Sequence, residues 1–198
     1  MKTLHYYFGL ISPFTYLGHD EFMEIVDRAD VKVEFHPIKF GAVFAATGGV
    51  PPAKRSPQRQ ALRFQELRRW SARKGIPLNL EPKHFPVDET LAACCVLALV
   101  ELGARPWDFI GRAHRAVWAE ERDLSDPAVV KDLLQAAGHD DTDAVLALAQ
   151  AESTVAAYAA KTEAAIEAGV FGAPTYRLGE ELFWGQDRLE WVEAMLNE

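Results

Sequence analysis

The sequence contains few cysteines, no excess of basic residues and no long hydrophobic run, and each absence excludes a class of protein. Its two cysteines, Cys94 and Cys95, are adjacent. Neighbouring residues on a helix point about 100° apart, so a disulfide between these two would be strained. We therefore expect reduced, structural thiols in a cytoplasmic protein and exclude a disulfide-stapled secreted scaffold.

The charge balance and the hydropathy argue against two kinds of partner. Acidic residues outnumber basic ones by 29 to 21, which gives a formal net charge of −8. Net negative charge argues against binding to nucleic acids and to anionic membranes. No apolar run approaches the length of a transmembrane helix, and the first eight residues lack the apolar region of a signal peptide. The six histidines, at positions 5, 19, 36, 84, 114 and 139, show no metal-ligand spacing, so no metal is expected.

Hydrophobic periodicity predicts an α/β opening. Residues 3–8 and 31–35 are rich in β-branched and aromatic residues and predict two strands. Residues 13–27 between them keep a helical apolar stripe, with Ser12 as the N-cap and Pro13 at the first helical position. Because a helix forms the crossover, the two strands should be parallel.

The middle of the sequence is predicted to be helical. Residues 40–57 are rich in Gly, Ala and Pro and predict a loop with at most a short helical turn. From residue 58 to about residue 169 nearly every segment has a helical pattern. Residues 88–102 are apolar nearly all round and should form the buried helix, whereas most of the arginines and lysines of the basic helix at 58–74 are expected to be solvated.

The C-terminal stretch FGAPTYRLGEELFWGQDRL, residues 171–189, predicts a strand, a hairpin turn at Gly179-Glu180, a second strand and a final helix. Pro174 stands at the start of a strand, where a missing N–H is tolerated. We predict a cis peptide bond before Pro174, which would turn the N–H and C=O of Ala173 outward.

The resulting βαβ…ββα order is typical of thioredoxin-like proteins, and the inserted helices bring this chain close to their DsbA-like branch. We therefore predict an α/β protein with a thioredoxin-like domain, residues 1–45 plus 170–198, and an inserted all-helical domain, residues 46–169. In thioredoxin-like folds a redox C-x-x-C motif opens the first helix. Here that position reads Ser12-Pro13-Phe14-Thr15, which excludes thiol–disulfide exchange.

Two features of the sequence are suited to an anionic ligand. Ser12 lies at a helix N-terminus, where it either serves only as an N-cap or also donates to an external thiolate and lowers its pKa. Asp187 and Arg188 open the last helix. They either act as a cap and a surface charge, or hold an α-amino acid head group, with Asp187 on the ammonium and Arg188 on the carboxylate.

Six short motifs together resemble one family, the 2-hydroxychromene-2-carboxylate isomerases and kappa-class glutathione transferases. They are SPFTYL at 12–17, FP at 85–86, AVW at 116–118, LSDP at 124–127, FGAPT at 171–175 and FWGQDRL at 183–189. The resemblance spans the whole chain, and the FWGQDRL string after FGAPT is its most specific part. It implies a glutathione cofactor and interconversion of 2-hydroxychromene-2-carboxylate with trans-o-hydroxybenzylidenepyruvate, or action on a related small aromatic carboxylate. It is also compatible with a homodimer.

The resemblance also implies roles for individual residues. Ser12 matches the catalytic serine that contacts the glutathione sulfur, and Ala173, before Pro174, matches the residue whose backbone pairs with the cysteinyl part of glutathione. Asp187 and Arg188 match the surroundings of the γ-glutamyl group. The sequence departs from the family at Gly48-Gly49-Val50, where an Asn followed by a basic residue is common.

Four further residues are candidates for the substrate pocket: Phe14, His36, Trp118 and Trp184. Each has a core or capping role as its alternative. Three functions stay open from the sequence: a glutathione-dependent isomerase, a glutathione transferase, and a non-catalytic thioredoxin-like module that binds peptides. The intact WGQDR element argues against the third, because a peptide binder has no need of a γ-glutamyl site.

Overall fold

A four-stranded mixed sheet forms the centre of the protein, whose computed structural model describes all 198 residues. The strands are β1 (Lys2–Phe8), β2 (Val31–Pro37), β3 (Thr175–Leu178) and β4 (Glu181–Trp184). They lie in the order β2-β1-β3-β4, with β1 parallel to β2 and antiparallel to β3, and with β3 antiparallel to β4. The predicted parallel opening pair and the βαβ…ββα order are confirmed.

Nine helices surround the sheet, and most of them follow the predicted segments closely. They are α1 (Pro13–Arg28), α2 (Phe40–Thr47), α3 (Pro57–Lys74), α4 (Thr90–Glu101), α5 (Trp107–Trp118), α6 (Pro127–Ala136), α7 (Thr142–Ala149), α8 (Glu152–Glu167) and α9 (Leu189–Leu196). Helix α2 is longer than the short turn expected at 40–57. Two 3₁₀ turns, Pro52–Lys54 and Gln186–Arg188, precede α3 and α9.

The sheet is covered on both faces because alternate side chains of a strand point to opposite sides. Tyr6 of β1 packs against Phe22 of α1 and Trp107 of α5 on one face. Tyr7, the next residue, belongs to a cluster on the other face with Val43 of α2 and Ala165 of α8. The sheet therefore lies between a layer containing α1 and α5 and a layer containing α2 and α8.

The helical insertion shares its core with the sheet. One cluster of 35 buried residues contains Leu4 and Tyr176 of the sheet as well as Val96 of α4 and Leu133 of α6. Division of the chain at residues 46 and 169 stays a prediction about its organisation, since the packing itself is continuous. As predicted, α4 is the buried helix, and eight of its residues, 92–99, are buried.

The two cysteines are buried in α4 and unpaired, as predicted. Burial raises the pKa of Cys95 to about 12, and it also raises the pKa of Cys94. Neither thiol is therefore a nucleophile at neutral pH. None of the helices has both the length and the apolar character required to cross a membrane.

Candidate active site

Ser12 lies at the start of α1, where its side chain links this helix to the segment that precedes β3. Its Oγ accepts the backbone N–H of Thr15 at 3.2 Å, so it caps the helix, and Pro13 occupies the first helical position. The same hydroxyl donates to the carbonyl oxygen of Ala173 at 3.4 Å. Only 6% of Ser12 is exposed. The structure thus brings together the helix N-terminus and the residue before Pro174.

The segment opposite Ser12 has the backbone geometry predicted from the sequence. The Ala173–Pro174 peptide bond is cis, which confirms the prediction, and Phe85–Pro86 is cis as well. The N–H of Ala173 has no acceptor within the protein. A Cβ at position 172 would lie 2.6 Å from the indole Nε1 of Trp184, so a larger residue there would force the indole to shift.

Two buried polar side chains hold the loop that leads to Ser12. A carboxyl oxygen of Glu89, Oε2, accepts the N–H of Ile11 at 3.1 Å, and the carbonyl of Leu10 lies 2.8 Å from Nδ1 of His114. Burial lowers the pKa of His114 to about 3, so the ring is neutral and its Nδ1–H donates to Leu10. Burial raises the pKa of Glu89 to about 8, against the opposing effect of its backbone hydrogen bonds.

Replacing Glu89 by glutamine is expected to flatten the dependence of stability on pH. The pKa of Glu89 is higher in the folded protein, about 8, than in an unfolded chain. Its stabilising contribution is therefore complete at acid pH and is lost as the pH rises towards 8. Denaturant unfolding at pH about 5 and about 8 should show a loss on the order of 3 kcal/mol in the wild type that Glu89→Gln removes. Glu101→Gln, at the exposed end of α4, is the control, and equal pH dependence in all three proteins would contradict the assignment.

A cleft with a volume of about 570 Å³ opens in front of Ser12. This volume is in the range of small-molecule sites. Aromatic side chains from four parts of the chain form its apolar walls: Phe14, Phe40, Phe44, Phe85, Phe171 and Trp184. Gly48, Gly49 and Val50 also line it, so the segment that departs from the family pattern faces the cleft.

Three arginines, Arg55, Arg59 and Arg63, supply the charge of the cleft, and no acidic residue lines it. Arg59 and Arg63 lie four residues apart on one face of α3, and Arg55 lies in the segment just before the helix. None of them forms a salt bridge. The guanidinium of Arg63 lies 5.9 Å from the ring centroid of Phe85 and 6.0 Å from that of Trp118. Burial and the nearby Arg55 lower the pKa of Arg63, which indicates a half-buried cation without a counter-ion.

The predicted site residues fall into three groups: those that line or adjoin the cleft, those in the 3₁₀ turn before α9, and those elsewhere in the protein. Ser12, Phe14, Ala173 and Trp184 line the cleft, and Pro174 adjoins it. Asp187 and Arg188 do not line it. They lie in the 3₁₀ turn that begins two residues after Trp184, and their charged groups are 3.7 Å apart. Because both side chains are about half exposed, they are free to contact a ligand that extends along this edge.

Two predicted pocket residues lie elsewhere. Trp118 is fully buried, packs against Phe85 and does not reach the cleft surface. His36 points to the opposite face of the sheet, because its neighbour Phe35 packs against Trp107 on the α1 and α5 side. There it meets His5 and Glu34. The structure therefore places neither Trp118 nor His36 in the cleft in front of Ser12.

The sequence analysis missed Phe40 and Phe44 on α2 and Arg59 and Arg63 on α3. A signal for them existed, since each pair is spaced by four residues and so falls on one helical face. Most of the arginines and lysines of residues 58–74 are expected to be solvated; Arg63, which is half-buried, is an exception, and the exposed Arg59 also lines the cleft.

Comparisons with known proteins identify a matching family model and relatives that are similar over the whole chain. A family model described as the DSBA-like thioredoxin domain matches residues 3–197. A 2-hydroxychromene-2-carboxylate isomerase of Sphingobium xenophagum is 29% identical over 201 residues, covering 98% of this chain and 98% of that protein. Glutathione S-transferase kappa 1 of Caenorhabditis elegans is 23% identical over 210 residues, covering 100% of this chain and 92% of that protein.

A solved structure supports the same relation. The structure of a 2-hydroxychromene-2-carboxylate isomerase superimposes on this chain with a TM-score of 0.82 at 26% sequence identity. The superposition covers 98% of this chain and 94% of that chain. Because the similarity extends over nearly the whole length, it includes the sheet and the inserted helices.

Proposed function

This chain belongs to the family of DSBA-like thioredoxin domains, and we propose that it is a glutathione-dependent isomerase of 2-hydroxychromene-2-carboxylate or a related aromatic carboxylate. The named isomerase relatives support the isomerase class. The kappa-class relative supports glutathione as the thiol. The observation that carries the proposal is the position of Ser12, a buried hydroxyl at a helix N-terminus inside a cleft that contains no cysteine.

A hydroxyl in the place of a redox cysteine is suited to a thiol that the ligand supplies. The Ser12 hydroxyl, on turning away from the Ala173 carbonyl, would donate its one hydrogen bond to a sulfur anion, and the N-terminus of α1 adds partial positive charge. The free N–H and the carbonyl of Ala173 lie beside it, as a pairing surface for the cysteinyl backbone of glutathione. Together these groups favour a bound thiolate over a bound thiol.

The proposed reaction is a reversible addition. The thiolate sulfur attacks the conjugated carbon–carbon double bond of the ring-opened substrate, and the π electrons move onto the neighbouring carbonyl as an enolate. The former double bond is now single and rotates. The enolate electrons then return, the carbon–sulfur bond breaks, and glutathione leaves unchanged, which is covalent catalysis by a borrowed nucleophile.

The side chains that line the cleft are suited to the aromatic ring and the carboxylate of this substrate. The aromatic rings offer apolar contact to a planar aromatic ligand, and the three arginines offer charge-assisted hydrogen bonds to its carboxylate. Buried thiols and the need for a reduced glutathione pool support action in the cytoplasm.

The direct test has two parts. Calorimetric titration with glutathione should give saturable binding, and chromene isomerisation should require glutathione in catalytic amounts. Transferase activity, the second candidate because of the kappa-class relative, would instead consume one glutathione per product. Absence of glutathione binding would reject both activities and favour the peptide-binding module.

Replacing Asp187 by alanine is expected to weaken glutathione binding about three- to tenfold without changing the fold. The carboxylate is nearly half exposed, so its interaction with the γ-glutamyl ammonium is partly screened by solvent. Calorimetry at low and high salt measures this effect, which should shrink as salt is added. Glu190→Ala, an exposed acid in the first turn of α9, is the matched control. Equal affinities in both variants would place the head group elsewhere.

A further inference from the structure

Three metal-ligating side chains meet on the sheet face that α8 covers, outside the cleft. They are His5 of β1 and Glu34 and His36 of β2. His5 is the register partner of Glu34, and Tyr7 is the partner of His36. Because side chains two residues apart share a face of the sheet, the parallel pairing of β1 and β2 brings all three together. The spacing along the sequence does not predict this cluster.

The distances between their ligand atoms are those of a compact coordination site. His5 Nδ1 lies 3.1 Å from His36 Nε2 and 3.3 Å from Glu34 Oε2, and His36 Nε2 lies 3.9 Å from the same oxygen. Bonds of about 2.0–2.1 Å to a tetrahedral zinc ion place its ligands roughly 3.3 Å apart. One ion therefore reaches all three atoms with small side-chain movements.

The three side chains are of the types that bind transition metals. Neutral imidazole and ionised carboxylate are the forms in which histidine and glutamate act as ligands.

Three neighbouring cations oppose metal binding. The ammonium of Lys32 on β2 lies 3.1 Å from Glu34 Oε1. The ammonium of Lys161 on α8 lies 3.5 Å from His36 Nδ1, and Arg177 on β3 is the register partner of His5. A Lys161 proton donated to Nδ1 leaves the His36 proton on Nε2, the atom that faces the cluster. Metal binding must therefore move that proton to Nδ1 and displace the lysine, which limits the affinity and makes Lys161 the natural site for a gain-of-affinity variant.

We propose that His5, Glu34 and His36 bind one divalent transition-metal ion, for which zinc is the best match, with a fourth position open to water. Two imidazoles and one carboxylate are a common zinc ligand set. None of the three residues lines the cleft in front of Ser12. The proposed ion links β1 to β2 and is separate from the proposed chemistry of the cleft.

The test is a calorimetric zinc titration of the purified full-length protein, with cobalt(II) absorbance as a second readout of tetrahedral coordination. Wild type should bind one equivalent. His36→Ala and Glu34→Gln should each weaken binding at least about tenfold. Lys161→Met, which removes a competing charge and hydrogen bond, should tighten it several-fold. His84→Ala, at a histidine 3.5 Å from Asp123, is the control and should leave binding unchanged.

The zinc affinities of the variants distinguish binding at His5, Glu34 and His36 from binding at other histidines. No zinc binding by wild type, or binding that survives His36→Ala and Glu34→Gln but not His84→Ala, would overturn the proposal. Thermal melts without metal establish whether each variant is folded. If removal of a ligand unfolds the protein, the gain of affinity in Lys161→Met decides the matter, since unchanged binding in that folded variant would also overturn the proposal.

Discussion

Replacing Ser12 by alanine is expected to lower the isomerisation rate at pH 7 by about 10- to 100-fold. A hydrogen bond to a charged group contributes about 1.5–3 kcal/mol, and one pKa unit corresponds to about 1.4 kcal/mol. Loss of the Ser12 hydroxyl should therefore raise the pKa of the bound glutathione thiol by roughly 1–2 units. The thiolate fraction at neutral pH falls in proportion, while the fold and much of the glutathione affinity are kept.

The dependence of the isomerisation rate on pH should show the direction of this change in thiol pKa. The hydroxyl stabilises the anion, so the thiol pKa is lower in the wild type than in Ser12→Ala. The deficit of the variant should thus be largest near neutral pH and should shrink as the pH rises above its own thiol pKa. Rate profiles against pH and thiolate absorbance of the bound glutathione measure the two pKa values independently.

A second Ser-Pro helix start in the same chain provides the control. Ser56 caps α3 by accepting the N–H of Arg59 at 3.4 Å, with Pro57 at the first helical position, but it does not line the cleft. Ser56→Ala should show the cost of a lost cap, about 1 kcal/mol of stability, without a shift in thiol pKa. If Ser12→Ala behaves like Ser56→Ala, then Ser12 is only a cap and the thiolate donor must be a backbone amide or Thr15.

The elements of the fold were predictable because their signals are local. Alternating and periodic apolar residues define β1, α1, β2 and α4, and the hairpin is marked by Gly179, whose φ of 58° fits the turn. Helix α2 escaped prediction because its sequence FGAVFAAT has neither a polar face nor a side-chain cap. In the folded protein α2 packs against α8, which is remote in the sequence.

A site residue was predictable only where its own short motif determines the local backbone conformation. Ser12 and Ala173 each sit in a segment whose backbone shape follows from a neighbouring proline. His36 shows the limit, since β2 was predicted at residues 31–35 and extends to Pro37, and the face to which the His36 side chain points depends on the register of the sheet. The arginines of α3 show a second limit, because a basic helix is solvated unless another surface approaches it.

Replacing Arg63 by methionine is expected to raise the KM for the aromatic carboxylate by about 10- to 100-fold while changing kcat little. This guanidinium is half-buried and unpaired, so a substrate carboxylate would be its first counter-ion. A charge-assisted hydrogen bond of about 1.5–3 kcal/mol corresponds to that range. Steady-state kinetics at saturating glutathione measure it. The methyl ester of the substrate should show little difference between the two proteins.

The size of the change in KM depends on how the neighbouring side chains hold the guanidinium of Arg63. Arg63 lies against Phe85 and Trp118, which keep it at the cleft and limit its solvation. Methionine keeps contact with those rings and removes a desolvated charge, so the stability should change by less than about 1 kcal/mol. Arg68→Met on the exposed side of α3 is the matched control and should leave KM unchanged. An equal rise of KM in both variants would reduce the role of Arg63 to long-range attraction, whereas a fall in kcat alone would place its charge at the enolate rather than at the carboxylate.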